Sequence, residues 1–305
     1  MTKLTLLFGE HTHPGPRDSN QDTVLSVELP DGRRLVAVAD GMGGLSEGER
    51  AGKTALAALY RSLSEGGDLL QGISDANTAV FRESSGLASG TTVVAAILNG
   101  NRLEIVNVGD SRAYHLDRLG LLQVTRDHTM GEEATRSGTV GGFDTAPSRW
   151  SGALARFLGA RETVDPDIFG PLNLDEGDWL LLCSDGLYRV LADEDMEAHL
   201  KGTTDPNQAA TQLVEMALAG HTEDNVSVAL VYRPEGNDGE DVTDDAPRGA
   251  PPSGAPSVWN PETIFARSPR NGKKQKGLVL AFVVIVGLIA LLIAAFMVLD
   301  RVMSP

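Results

Sequence analysis

Five aspartates stand where apolar runs begin or end, far apart along the chain. Asp22 closes Arg17-Asp-Ser-Asn-Gln-Asp22, and Asp40 separates Val36-Ala-Val-Ala39 from Gly41-Met-Gly-Gly44. Asp110 lies in Val106-Asn-Val-Gly-Asp110-Ser-Arg112, Asp185 in Leu180-Leu-Leu-Cys-Ser-Asp185-Gly186, and Asp224 just before Asn225-Val226. A carboxylate at the point where a strand leaves the core sits at the sheet edge, half buried and aimed outward. Several of them converging would repel one another unless a cation lay between them. Oxygen donors without Cys or His select hard ions, Mg2+ or Mn2+. Taken alone, each Asp-Gly is an ordinary turn; the ordered set of five is what points to a multi-metal site.

Other chemistry is poorly supported. Gly41-Met-Gly43-Gly44 has the setting of a dinucleotide loop, but the third glycine of that fingerprint would fall on Ser46. Gly52-Lys53-Thr54 imitates the end of a phosphate loop, yet Glu47 replaces its leading glycine and the tripeptide falls inside a predicted helix. The six histidines show no zinc spacing; His11 and His13 share a strand face as a surface pair or weak site. The single cysteine, Cys183, lies in an apolar run and reads as a small core residue. No nucleophile elbow or catalytic Cys/His context supports a protein nucleophile.

The elements that would position these residues alternate between strand-like and helical stretches. Residues 35–39, 92–98, 103–108, 179–183 and 226–232 are rich in Val, Ile and Leu. Asn99-Gly100 and Pro30-Asp31-Gly32 mark hairpin turns, which favour antiparallel sheet. Helical spacing covers 47–63 and 68–83, and Asp205-Pro206 opens a third helix. Strands and helices in separate groups predict an α+β layered fold.

The chain has 305 residues and a formal charge of -16, unevenly spread. The first 233 residues hold 19 of the 26 basic and 34 of the 42 acidic side chains, a net of -15. So acidic a body is a poor partner for nucleic acid, whose phosphates are neutralised by Lys and Arg. Residues 234–276 open acidic, continue rich in Pro and Gly, and read as a disordered linker. Residues 277–299 are 23 uncharged, strongly apolar positions, about 35 Å as a helix, enough for a membrane core of about 30 Å. A single C-terminal transmembrane helix is therefore expected there, with 300–305 as a short tail. Arg267, Arg270, Lys273, Lys274 and Lys276 crowd its N-terminal side. The positive-inside bias then puts the body in the cytoplasm, single-pass and C-terminally anchored at the lipid bilayer.

In order, Arg-x-x-Asn-Gln-Asp, Asp-Gly-Met-Gly-Gly, Ser89-Gly-Thr-Thr92, Gly-Asp-Ser-Arg, Ser-Asp-Gly and Asp-Asn resemble the metal-dependent PP2C-like (PPM) serine/threonine protein phosphatases of bacterial type. The resemblance covers residues 1–233. It implies a four-layer α-β-β-α sandwich, two antiparallel sheets flanked by helices. It further implies hydrolysis of phosphoserine and phosphothreonine in proteins by a water activated between two Mn2+ or Mg2+ ions. Carried over by position, Asp40 bridges both ions, the Gly41 carbonyl binds one, Asp185 and Asp224 hold the first, and Asp22 supports the second. Asp110 matches a weaker third metal site, and Arg17 matches the arginine that grips the substrate phosphate. Ser89-Gly-Thr-Thr92 would pack under the site, and Arg112 would be a buried pairing partner.

The sequence departs from the family pattern in two places. Met42 stands where many eukaryotic relatives carry a histidine proposed as general acid, so protonation of the leaving oxygen falls to water on the metals. Residues 130–150 lack the apolar pattern of the family's flap and read as a mobile loop gating the substrate. Expected partners are phosphorylated Ser/Thr proteins, with a membrane Ser/Thr kinase and its substrates among them. The alternative is a phosphoprotein-binding pseudophosphatase or membrane scaffold, which a missing ligand position would favour; every mapped position is filled.

Overall fold

The computed structural model describes residues 5–44, 46–84, 89–136 and 152–236. The expected apolar span, the tail, the linker beyond Gly236 and residues 137–150 of the expected gating loop lie outside the described residues. Among the described residues no helix is long and apolar enough to cross a membrane.

Two antiparallel sheets form the centre. One contains β1 (Leu7–His13), β11 (Val226–Tyr232), β10 (Trp179–Cys183), β7 (Arg112–Asp117) and β8 (Gly120–Gln123), in that spatial order. The other contains β2 (Asp22–Glu28), β3 (Arg34–Met42), β5 (Val93–Asn99), β6 (Arg102–Val108) and β9 (Asp167–Asn173), with the two-residue β4 (Gly90–Thr91) against the end of β3. The turns at Asn99-Gly100 and Asp31-Gly32 join β5 to β6 and β2 to β3, each glycine with positive φ.

Period-2 alternation assigns each strand two faces. Val36 and Val38 of β3 and Val94 and Ala96 of β5 point between the sheets, where they meet Leu180, Leu182, Ala229 and Val231. Leu35, Ala37 and Ala39 point the other way, onto α1 (Glu47–Ser64) and α2 (Leu69–Ser84) through Leu56, Leu59, Ile73 and Val80. On the opposite flank Leu181, Val228 and Leu230 pack against Met196 of α5 (Asp193–Lys201) and Leu213 and Val214 of α6 (Pro206–Ala219). The layer order is therefore helix, sheet, sheet, helix, as expected. Each fully buried leucine in these layers contributes about 1.5–3 kcal/mol relative to exposure.

Helix α6 starts as its sequence suggests: the Asp205 carboxylate accepts from the Asn207 and Gln208 amides, and Pro206 occupies the first turn. Lys53 of the phosphate-loop look-alike sits mid-helix in α1 and pairs with Glu49 one turn back. One expectation needs correction. The expected loop 130–150 begins as a short helix, α3 (Met130–Arg136), tied down by Arg156, which bridges Glu133 at 2.7 Å and Asp167 at 2.9 Å.

Candidate metal centre

Each carboxylate reaches the site from a different element, and short polar side chains set its backbone. Asp22 opens β2 directly opposite Asp40 near the end of β3. Past Val38 strand β3 leaves β5, and Gly41 pairs with Thr91 of β4 instead. At this exit the Asp40 amide donates to the Thr92 hydroxyl at 3.0 Å, while the Asp40 carbonyl accepts from the Thr91 hydroxyl and the Thr92 amide. The Ser-Gly-Thr-Thr segment thus clamps the Asp40 peptide as well as packing beneath it.

Asp110 occupies the turn between β6 and β7, and its carbonyl accepts from the Tyr188 hydroxyl at 2.9 Å. Asp185 begins the single-turn α4 (Asp185–Tyr188) directly after β10, and Asp224 immediately precedes Asn225 and β11. Arg17 lies in the loop between β1 and β2. Its Nε donates to the Glu223 carbonyl at 2.7 Å, and its Nη2 meets Asp224 Oδ2 at 2.8 Å.

Arg17, Asp40, Gly41, Asp110, Asp185 and Asp224 all line one cavity of about 700 Å3. Asp22 is set behind that wall, buried, with Oδ2 accepting from the Ser184 hydroxyl at 2.8 Å. Two buried carboxylate oxygens, Asp22 Oδ1 and Asp185 Oδ1, have no hydrogen-bond partner. Burial, then repulsion from Asp22, Asp185, Asp110 and Asp224, raises Asp40 well above the ordinary carboxylate range. Burial likewise pushes Asp22 up to about 7, against the lowering effect of its serine hydrogen bonds, and Asp110 up to about 6. Asp185 is raised by burial and by Asp224, with Arg189 acting in the opposite direction.

An arrangement that strains its own carboxylates and leaves two buried oxygens bare fits cations. The donors are all oxygen, so the fit is to hard divalent ions. Among the described residues no three such side chains stand close enough to enclose an ion as they are. The carboxylates are gathered on one cavity, and two of them rest on guanidiniums, Asp224 on Arg17 and Asp185 on Arg189.

Three further residues contribute. Asn225 accepts the Gln21 amide at 2.8 Å and donates to the Pro14 and Ser19 carbonyls at 2.8 and 3.0 Å, fixing the loop that carries Arg17. Ser184 passes a hydrogen bond from the Ser227 amide to Asp22. Arg189, four residues after Asp185, pairs with Asp185 at 2.7 Å and approaches Asp110 at 3.6 Å; only its i,i+4 spacing could have signalled it.

Of the remaining candidates, Arg112, Cys183 and His13 are not among the residues that line the cavity. Arg112 makes a bidentate pair with Asp127 and a hydrogen bond to the Tyr114 hydroxyl, the role expected of it. Cys183 is buried, and His13 accepts the Gly15 amide. Met42 lines the cavity beside Gly41.

The glycines beside Asp40 serve different needs. A Cβ on Gly41 would lie 2.1 Å from the Gly48 carbonyl oxygen, so this position requires close approach of β3 to α1. Gly43 has φ of +147°, which favours glycine. Gly44 is in neither situation.

Comparison with known proteins agrees with this geometry. The sequence profile of the family described as Protein phosphatase 2C matches residues 8–226. The serine/threonine phosphatase stp of Listeria monocytogenes is 33% identical over 241 residues, covering 74% of this chain and 95% of its own. The solved serine/threonine phosphatase of S. agalactiae superposes with a TM-score of 0.69 at 26% identity, covering 75% of this chain and 99% of that one. The catalytic domain of the phosphatase PstP, solved with two manganese ions, gives a TM-score of 0.62 at 32% identity, covering 75% and 98%.

Proposed function

The chain belongs to the protein phosphatase 2C family, and on that premise we propose that it removes phosphate from Ser and Thr side chains of proteins, with Mn2+ or Mg2+, at the cytoplasmic face of a membrane. The observation that carries the chemistry is the convergence of Asp40, Asp110, Asp185 and Asp224 with Arg17 on one cavity, backed by two bare buried carboxylate oxygens.

Asp40, which lies among the other carboxylates with its peptide clamped on both sides, would be shared by the two ions. Asp185, from α4, and Asp224, before β11, would help to hold one of them. Asp22, behind the wall, would support the other, and the Gly41 carbonyl would add a neutral donor. When bound, two such ions lower the pKa of a shared water and offset charge developing on the phosphoryl oxygens. Everything else falls to the chain. Arg17, more than half exposed at the cavity mouth, carries a planar fork that would pair bidentately with a phosphate if Asp224 were taken up by a metal ion. Asn225 holds the loop from which that fork extends. Met42 lines the cavity but its thioether carries no proton to give to a leaving oxygen.

The full-length chain is expected to release inorganic phosphate from phosphothreonine peptides in the presence of Mn2+. Tight binding of the same peptides without release would instead favour the pseudophosphatase reading.

The membrane placement rests on sequence alone: the apolar span 277–299 and the five cations before it. On this reading the linker confines the enzyme to phosphoproteins near the bilayer, among them a membrane Ser/Thr kinase and its substrates. A cysteine added after Pro305 is expected to react with an impermeant thiol reagent applied to intact cells. Reaction only after lysis would overturn the orientation.

A further inference from the structure

Arg189 is a cation that the two-ion reading does not use. It caps α4, its amide donating to the Asp185 carbonyl at 3.1 Å, and its Nη2 lies 2.7 Å from Asp185 Oδ2 and 3.6 Å from Asp110 Oδ2. The side chains of Asp110 and Asp185 are nearly buried, 6% and 10% exposed, whereas the arginine is 55% exposed at the cavity wall. The neighbouring residue reinforces the link, because the Tyr188 hydroxyl donates to the Asp110 carbonyl. The Tyr188 ring is itself covered by the Arg112 guanidinium, 3.5 Å from its centroid. Asp185 is thereby divided: Oδ2 faces Arg189, while the buried Oδ1 has no partner.

We propose that Arg189 is a built-in cation that occupies the space between Asp110 and Asp185, and so limits the centre to two divalent ions. An ion held by both Oδ2 atoms would compete with Nη2 for the space between them, since that one nitrogen lies 2.7 Å from Asp185 Oδ2 and 3.6 Å from Asp110 Oδ2. The guanidinium supplies a single positive charge there permanently, without dependence on free metal. Asp185 Oδ1 stays available to the catalytic pair. Asp110 therefore serves chiefly as the partner of Arg189, in place of the third-ion ligand implied by the resemblance.

This inference rests on the metal-centre reading, and the test separates the two. Calorimetric Mn2+ titration of the full-length chain should show two ions for the wild type and for Arg189→Lys. Arg189→Ala and Arg189→Gln should each gain a third, with affinity for it raised at least about tenfold as two buried carboxylates lose their counter-charge. Two variants of different size guard against a misfolded one, and thermal melts identify any that fails to fold. Three ions in the wild type, or two in both neutral variants, would overturn the role of Arg189 and leave the metal centre standing. No uptake by the wild type would overturn both.

Discussion

Replacing Asp40 by Asn is expected to abolish phosphopeptide turnover, lowering it at least about 10³-fold. Altering groups that merely support a metal ligand already costs 10–100-fold, and Asp40 is assigned the bridge itself. The sign of the stability change separates this effect from unfolding. In the folded chain burial and four neighbouring carboxylates disfavour the charged form of Asp40, so its folded pKa is raised. A raised carboxylate favours the fold at low pH, where it is protonated, and destabilises it at neutral pH, where charge is forced on it. A neutral amide removes that repulsion. Without metal, Asp40→Asn should therefore melt at or above the wild-type temperature at pH 7. With Mn2+ the wild type should gain stability by mass action, about 2.7 kcal/mol at a hundredfold excess over Kd, and the variant should gain little. A variant that melts well below metal-free wild type would instead assign Asp40 a structural role.

Gly41→Ala is expected to destabilise the fold strongly through backbone overpacking. The new carbon would lie 2.1 and 2.4 Å from the Gly48 carbonyl group and 2.7 Å from the Gln21 carbonyl oxygen. All three are backbone atoms, so no side chain can rotate away, and β3, α1 and the Arg17 loop must move together. Overpacking of this kind costs about 3 kcal/mol, a fall in melting temperature of roughly 6–12 °C for a domain of this size. Gly44→Ala is the internal control, because its Cβ meets only the end of the Glu47 side chain, at 3.3 Å. That change should stay within about 0.5 kcal/mol. Equal melting temperatures for the two variants would show that the close approach of β3 to α1 is not needed.

How much of this was legible depends on burial. The central strands β3, β5, β6, β10 and β11 are covered on both faces and so appear in sequence as continuous apolar runs. Strand β1 shows only the His11/His13 alternation, and the mostly exposed edge strand β9 carries no such run and escapes notice. Helix α5 hides for a similar reason, since only Met196 and Leu200 of its nine residues are buried. The five aspartates stand out because each marks the point where an apolar run begins or ends. Asn225 was visible beside Asp224, but its work is done on Pro14, Ser19 and Gln21, about 200 positions away in sequence. No local pattern encodes such a contact. Arg189 is intermediate: its spacing from Asp185 was readable, and its approach to Asp110 was not.

The most direct measurement of the central claim is phosphate release from a phosphothreonine peptide by the full-length chain as free Mn2+ is varied. Turnover should saturate with Mn2+, vanish on complete chelation, return when Mn2+ or Mg2+ is restored, and be absent from Asp40→Asn at every metal concentration. Turnover that persists in the chelated wild type, or that survives in Asp40→Asn, would contradict it.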